Sequence, residues 1–359
     1  MMKNDVEENV YQELRKSNNP IYIWGAGMMG IKVKNRLTEN GIGVEGFFVD
    51  VDQFNGEAAG EGEQIYTLEE LGKLHDRIDV VIGHGHYERR GVLSGLPFVH
   101  QVYMIAFPYL QYHSPGIGEW IGNHRELYDE IAGRLADDQS RKALHAYCMV
   151  NDTKDAECLL QDDILVKDMF DFEELHLTEE ERYADIGAWI GDTVELFAEK
   201  TGGRYDHIYA VEPDPDSVER LRECVRNYES ISIYPYGLGS EAGEMFLHVD
   251  GEVRQSTSLV SRGDGGSQLM IEVKTLDEIF EKDSVSLIKI FVPFLFEDIL
   301  KGGEKCILRD RPRLIVNISV ENGTSFFDVI KWLLDLDIGY QIALRFDMAM
   351  STRFMLYAY

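Results

Sequence analysis

Short, continuous apolar runs alternate along this chain with segments whose apolar residues recur every three or four positions. IYIWG, from Ile21, reads as a buried strand; AGMMGIKVKNRLTENG then takes helical period and stops on Asn40-Gly41. VEGFFVD predicts a second strand, TLEELGKLHD a second helix and DVVIGHG a third strand. Strands and helices alternating at this spacing predict a parallel, doubly wound sheet. The unit closes after FVHQVYMIAF, which gives a first domain over residues 1–107. Over 108–168 the alternation stops: EWIGNHRELYDEIAGRLA and SRKALHAYCMVN have helical period, and the segment reads as a helical connector packed on one domain or both. A second alternating domain is expected over 169–359, in the runs YADIG, IYAVEP, SISIYPYGLG, MFLHVD, IEVKTLDEIF, LIKIFV, RLIVNIS, GYQIALRF and RFMLYAY. The last strands crowd together, which predicts a seven-stranded, mostly parallel sheet with a reversed C-terminal strand. The expected class is α/β, with two doubly wound domains.

Composition narrows the partners. The chain has 359 residues, 44% of them hydrophobic and 28% charged, enough for a core in each domain. Its net charge of −29 repels phosphate backbones and anionic membranes and favours cationic ligands, so no nucleic acid is expected. Cys148, Cys158, Cys224 and Cys306 form no C-x-x-C pair and no zinc spacing with histidine, and read as buried thiols of a reducing compartment. MMKNDVEENVYQELRKSNN lacks the basic-then-apolar order of a signal peptide. No apolar run approaches the roughly 18 residues of a membrane span. These features predict a cytoplasmic protein without membrane insertion.

Two glycine turns carry the candidate chemistry. In GAGMMG, Gly25, Gly27 and Gly30 follow a strand and open a helix, and Asp50 ends the next strand. Glycines let a backbone approach a pyrophosphate, the helix N-terminus supplies positive partial charge, and an acid receives ribose hydroxyls. A nucleotide such as NAD fits that layout; close helix–strand packing explains the same glycines without a ligand. His84 and His86, in GHGHYERR, end the third strand at the same mouth or are solvated loop histidines. No Tyr-x-x-x-Lys follows, so the first domain is not expected to be the working part.

The second turn, DIGAWIGDT, holds Asp185, Gly187, Ala188, Gly191, Asp192 and Thr193, with Glu212 ending the next strand in YAVEPDP. An acid leads this turn, which suits a ligand with a cationic amino-acid end. S-adenosylmethionine is such a ligand: the glycines admit its methionine part, Asp185 stands near its ammonium directly or through water, and Glu212 accepts both ribose hydroxyls.

With those residues in hand, the second domain resembles the FkbM-type family of S-adenosylmethionine-dependent methyltransferases. The likeness runs over about 125–359, through LADDQSRKAL, MFDFEELHLTEEERYADIGAWIGDT, IYAVEPDPDSVERL, STSLV, VKTLDEIF, LIKI, ILKGGEKCI, RPRLIVNIS, YQIALRF and MLYAY. The first domain resembles Rossmann-like nucleotide-binding domains joined to enzymes of surface polysaccharide clusters. The resemblance implies O-methylation of a glycan or glycan precursor, polysaccharide biosynthesis as the setting, and a doubly wound methyltransferase sheet.

The acceptor side departs from the family pattern. Relatives follow I-K-[IM] with D-x-E-G-A-E; here the chain reads FVPFLF, with Phe291, Pro293, Phe294 and Phe296 at the family's Asp, Glu, Gly and Glu positions. Ser319 and Val320 replace a Tyr-His pair, and Phe346 follows Arg345 where a histidine is common. A sugar hydroxyl is a poor nucleophile, and a general base or metal usually helps remove its proton. Phenylalanine does neither. Glu297 and Asp298 suit a helix N-terminus, and Glu321, Asp250 and Asp347 are further acids that could approach the mouth. Three readings follow: an apolar or aromatic acceptor, a filled pocket in a non-catalytic binding or scaffold module, or a junction packed on the first domain or on a second subunit of a homo-oligomer.

Overall fold

The computed structural model describes residues 6–49, 64–84, 90–105, 117–153, 155–249, 267–292, 295–318, 324–347 and 350–359. Asp50, His86, Asp250, Pro293, Phe294, Ser319, Val320 and Glu321 lie outside them. Two compact units emerge. One holds residues 1–128, 138–167 and 345–354; the other holds 129–137, 168–344 and 355–359. Residues 108–128 and 138–167 of the segment expected as a connector fall in the first unit and residues 129–137 and 168 in the second.

In the first unit the elements are α1 (Val6–Lys16), β1 (Ile21–Trp24), α2 (Met28–Glu39), β2 (Gly46–Val49), β3 (Ile65–Thr67), α3 (Leu68–Leu74), β4 (Ile78–Ile82), α4 (Arg90–Ser94), β5 (Val99–Tyr103) and α5 (Ile117–Asn123). The boundary passes through α6 (Arg125–Arg134); α7 (Asp138–Thr153) and β6 (Leu165–Val166) belong to the first unit. Its sheet is wholly parallel, in order β3-β2-β1-β4-β5. β1 and β4 are buried along their whole length, as expected for central strands covered on both faces. Tyr11 and Leu14 of α1 and Val33 and Leu37 of α2 pack with Ile21, Ile23 and Phe47 into one core. A capping box, Thr67 with Glu70, starts α3. The order reverses between β1 and β4, so the turns after these two strands share the crevice where such sheets bind ligands.

The second unit is built from β7 (Arg182–Ile186), α8 (Asp192–Lys200), β8 (His207–Val211), α9 (Pro215–Cys224), β9 (Ile231–Tyr234), β10 (Gly237–Leu238), β11 (Gly243–Val249), β12 (Ser267–Lys274), α10 (Leu276–Ile279), β13 (Leu287–Ile290), α11 (Phe296–Lys301), α12 (Glu304–Asp310), β14 (Arg313–Asn317) and α13 (Ser325–Asp335). β15 (Ile342–Asp347) and β16 (Met350–Ala358) close the chain. The main sheet runs β6-β15-β16-β14-β13-β7-β8-β9. β7, β8, β9, β13 and β14 are parallel, and β16 lies antiparallel to β14, as the reversed final strand requires. Among the described residues the two-residue β6 pairs with Phe346 and Asp347 and adds an eighth strand at the edge. MFLHVD and IEVKT do not join it. They pair antiparallel as β11 and β12 and, with β10, make a separate three-stranded sheet.

Local chemistry fixes the ends of the elements around the site. Asp214 caps α9 by accepting from the Ser217 N–H at 3.0 Å, and Pro215 follows at the first helical position. Thr275 and Glu278 form a capping box at α10. Tyr183, fully buried on β7, stacks on Phe197 of α8 with ring centroids 4.3 Å apart, which seats the helix on the strand that precedes it. Cys148 and Cys306 are buried, and burial lifts both thiols to about 12, so neither is a nucleophile near neutral pH.

Candidate active site

β7 ends at Ile186 and the chain turns through residues 187–191 into α8. Gly187, Trp189 and Gly191 all hold positive φ, at 76°, 46° and 95°. Four N–H groups of the turn are engaged. The N–H groups of Gly187 and Ala188 donate to the Val211 carbonyl at 3.0 Å, and the Gly191 N–H donates to the Ala188 carbonyl at 2.8 Å. The Trp189 N–H donates to Oε2 of Glu212 at 2.9 Å.

Glu212 stands one residue past β8, at the C-terminal edge of the sheet. Its Oε1 accepts from the Asp214 N–H at 3.0 Å. A carboxylate has about four acceptor sites, so each oxygen keeps capacity for a further donor. The side chain is buried, and burial raises its pKa above the ordinary value, while the N–H groups of Asp214 and Trp189 pull it back. The structure thus brings Glu212 to the glycine turn.

Asp185 lies on β7, one residue before the strand ends. It is wholly buried beneath the turn, and both its oxygens are engaged from inside. Oδ1 accepts from the Lys289 ammonium at 2.6 Å and Oδ2 from the Thr193 hydroxyl at 2.6 Å. These two contacts make Asp185 part of a buried ion pair. Lys289, itself 1% exposed, also donates to the Gly187 carbonyl at 2.8 Å and lies 3.3 Å from the Thr193 hydroxyl. It stands directly opposite Asp185 in the register of β13 and β7. Sequence reading passed over Lys289. The signal was available: one lysine inside the apolar strand LIKI and one aspartate inside YADIG.

At Gly187 and Gly191 neighbouring atoms leave no room for a side chain. A Cβ on Gly187 would lie 2.6 Å from the Phe291 carbonyl oxygen, and one on Gly191 2.9 Å from the Cys224 sulfur. Ala188 is buried, and Asp192 is exposed in the first turn of α8, where it suits the helix N-terminus.

The phenylalanine junction separates into two environments. Phe291 is half-buried at the end of β13, its N–H donating to the Ile186 carbonyl at 3.0 Å and its ring centroid 4.6 Å from the Lys289 ammonium. Phe296 is 1% exposed on α11 and is a core residue, because it faces inward from the helix rather than from the strand end. Glu297 pairs with Lys301 one turn on, at 2.7 Å, and Asp298 is exposed on the same helix. Asp347 is buried and pairs with Arg353 at 3.0 Å, and Arg345 donates to the Ser140 hydroxyl at 2.9 Å. Among the described residues, the ends of β13 and β14 present Phe291, Val292, Asn317 and Ile318, none of which is a general base.

In the first unit Gly25, Gly30 and Gly83 interlock. A Cβ on Gly30 would fall 2.0 Å from the Gly25 carbonyl oxygen, and one on Gly83 2.9 Å from the Gly30 Cα. Gly25 has φ 110°, and a Cβ there would meet the Gly83 carbonyl at 3.1 Å and the ring of His84 at 3.2 Å. Close approach of β1, α2 and β4 accounts for Gly25 and Gly30. Gly27 differs: it precedes α2 in extended conformation, and a Cβ there would meet nothing described within 4 Å. His84 packs edge-on against Trp24.

Residues 185–342 match the family described as Methyltransferase FkbM domain. No curated protein matches. Among solved structures, the chain is similar to the methyltransferase FkbM from Methylobacillus flagellatus KT, at 20% identity and TM-score 0.63, over 98% of this chain and 93% of that one. That likeness shows a shared fold. An rRNA methylase from Streptococcus thermophilus matches at 14% identity and TM-score 0.32, over 51% of this chain and 87% of its own. A SAM-dependent methyltransferase from Aquifex aeolicus matches at 15% and 0.32, over 52% and 85%. The span matched to the family runs from the aspartate that opens the glycine turn to the start of β15: residues 185–342 are a methyltransferase FkbM domain.

Proposed function

We propose that this chain transfers a methyl group from S-adenosylmethionine to a hydroxyl oxygen, the acceptor being a glycan or glycan precursor. The observation that carries the reading is Glu212: a carboxylate fixed by two backbone N–H groups at the edge of the sheet, with acceptor capacity to spare. That geometry suits a vicinal pair of ribose hydroxyls. The cofactor supplies an electrophilic methyl group on a cationic sulfonium. The chain's strongly negative charge favours that cation over its neutral product. The rigid turn and Glu212 hold the donor, and alignment is the main source of acceleration in an in-line displacement. Phe291 adds an apolar wall at the strand end.

A second reading has its own observation. Phe291 occupies the strand end where a base would take the hydroxyl proton, which favours a non-catalytic module that retains the cofactor site. Calorimetric titration with S-adenosylhomocysteine, on the parent and on Glu212→Ala, tests the cofactor. Loss of two charged hydrogen bonds to the ligand predicts affinity at least about tenfold weaker in the variant. No heat and no thermal stabilisation in the parent would sink the proposal. Transfer of labelled methyl to sugars, nucleotide sugars or phenols then separates the readings, since the module predicts binding and no transfer to any of them.

A further inference from the structure

We propose that Lys289 is a positioning residue for the cofactor, acting by fixing the carbonyl of Gly187. This rests on the reading of the turn as a cofactor site.

The peptide between Gly187 and Ala188 is gripped at both ends. Its N–H donates to the Val211 carbonyl, and its C=O accepts from Lys289 at 2.8 Å. The next peptide is gripped in the same manner, by Glu212 on its N–H and Gly191 on its C=O. Two side chains from the flanking strands therefore hold the turn: Glu212 from the β8 side, Lys289 from β13. A turn with positive φ at Gly187 and Trp189 has neighbouring peptide orientations open to it. An ammonium that must satisfy Gly187, Asp185 and Thr193 together leaves only one. Phe291 closes the outer side of the ammonium, its ring at 4.6 Å. A counter-ion for Asp185 would need only the 2.6 Å contact; the bond to a backbone carbonyl of the turn is the additional feature.

The test uses the full chain and S-adenosylhomocysteine as probe. Asp185→Asn/Lys289→Met removes both charges, so no lone ion stays buried, and the variant is expected to melt close to the parent. The Gly187 carbonyl nevertheless loses its donor, and the ligand is expected to bind about tenfold more weakly. Parental affinity in a folded double variant would overturn the positioning role and leave Lys289 a buried counter-ion. No binding by the parent would overturn the cofactor reading as well, and that failure shows in the parent alone. If the double variant does not fold, NMR of lysine-labelled parent decides. A shift of the Lys289 ammonium signal on saturation with the ligand supports the proposal, and an unmoved signal refutes it.

Discussion

Replacing each glycine of the turn by alanine separates backbone from side-chain obstruction. Gly187 and Gly191 both sit at positive φ, where a Cβ costs about 1–2 kcal/mol. The obstacles differ. At Gly187 the new methyl would stand 2.6 Å from the Phe291 carbonyl oxygen, a backbone atom just past the end of β13. At Gly191 it would meet the Cys224 sulfur at 2.9 Å and the Leu221 Cδ1 at 3.0 Å, both side-chain atoms that can shift. Overpacking costs about 1–3 kcal/mol, with the upper end for the backbone obstacle and the lower for the movable one. Gly187→Ala is therefore expected to lose about 3–5 kcal/mol and Gly191→Ala about 2–3 kcal/mol. At about 2–4 °C per kcal/mol for a unit of this size, the midpoints fall by about 6–20 °C and 4–12 °C. Thermal and urea unfolding read both. Adding Cys224→Ala should recover part of the Gly191→Ala loss and none of the Gly187→Ala loss. Equal costs at the two glycines, or rescue of Gly187→Ala by Cys224→Ala, would refute the argument.

Two further outcomes follow from buried carboxylates. Glu212 has a folded-state pKa raised by burial above the unfolded value of about 4.5, so its contribution to stability is fully present below that pH and fades as pH rises through the folded value. Urea titrations across that window should show the fade in the parent and its absence in Glu212→Gln; identical pH dependence would refute it. Glu181 lies at the opposite end of β7, 1% exposed, and accepts from Arg313 through both oxygens at 2.5 Å, from the Ser286 hydroxyl at 2.5 Å and from the Thr178 N–H at 3.0 Å. Glu181→Gln should cost about 1.5–3 kcal/mol in urea unfolding without changing affinity for S-adenosylhomocysteine, and a change in affinity would show that this end of the strand reaches the site.

Much of the architecture was legible because buried parallel strands advertise themselves. IYIWG, DVVIG, YADIG, IYAVEP, LIKI and RLIVNIS are short, mostly apolar runs, and each is a central strand. MFLHVD and IEVKT have the same length and apolar content, yet they pair with each other outside the main sheet. Period alone cannot assign a strand to a sheet; that depends on which partners its edge meets. The phenylalanines of FVPFLF show the same limit at the level of side chains. Phe291 ends a strand and stays half-buried, while Phe296, five positions on, has turned inward on α11. A likeness of position to a family pattern gave both the same mouth, and the helix phase separated them.

The site was read as a set of positions, and what it lacked was pairing. Gly187, Gly191 and Glu212 were found because turns and strand ends have local signatures. Asp185 was found for the same reason and given a ligand to face, since its partner lies 104 residues further along the chain. The physics of burial supplies the missing step. A strand covered on both faces cannot hold a lone charge without a cost of several kcal/mol, so a single aspartate in YADIG demands a donor on an adjacent strand. LIKI offers the single lysine, and the β13–β7 register sets the two opposite each other. Once that pair is drawn, the acid of the turn is an internal strut. Outside that pair the turn carries the carboxylates of Glu212 and the exposed Asp192, and Glu212 keeps acceptor sites open.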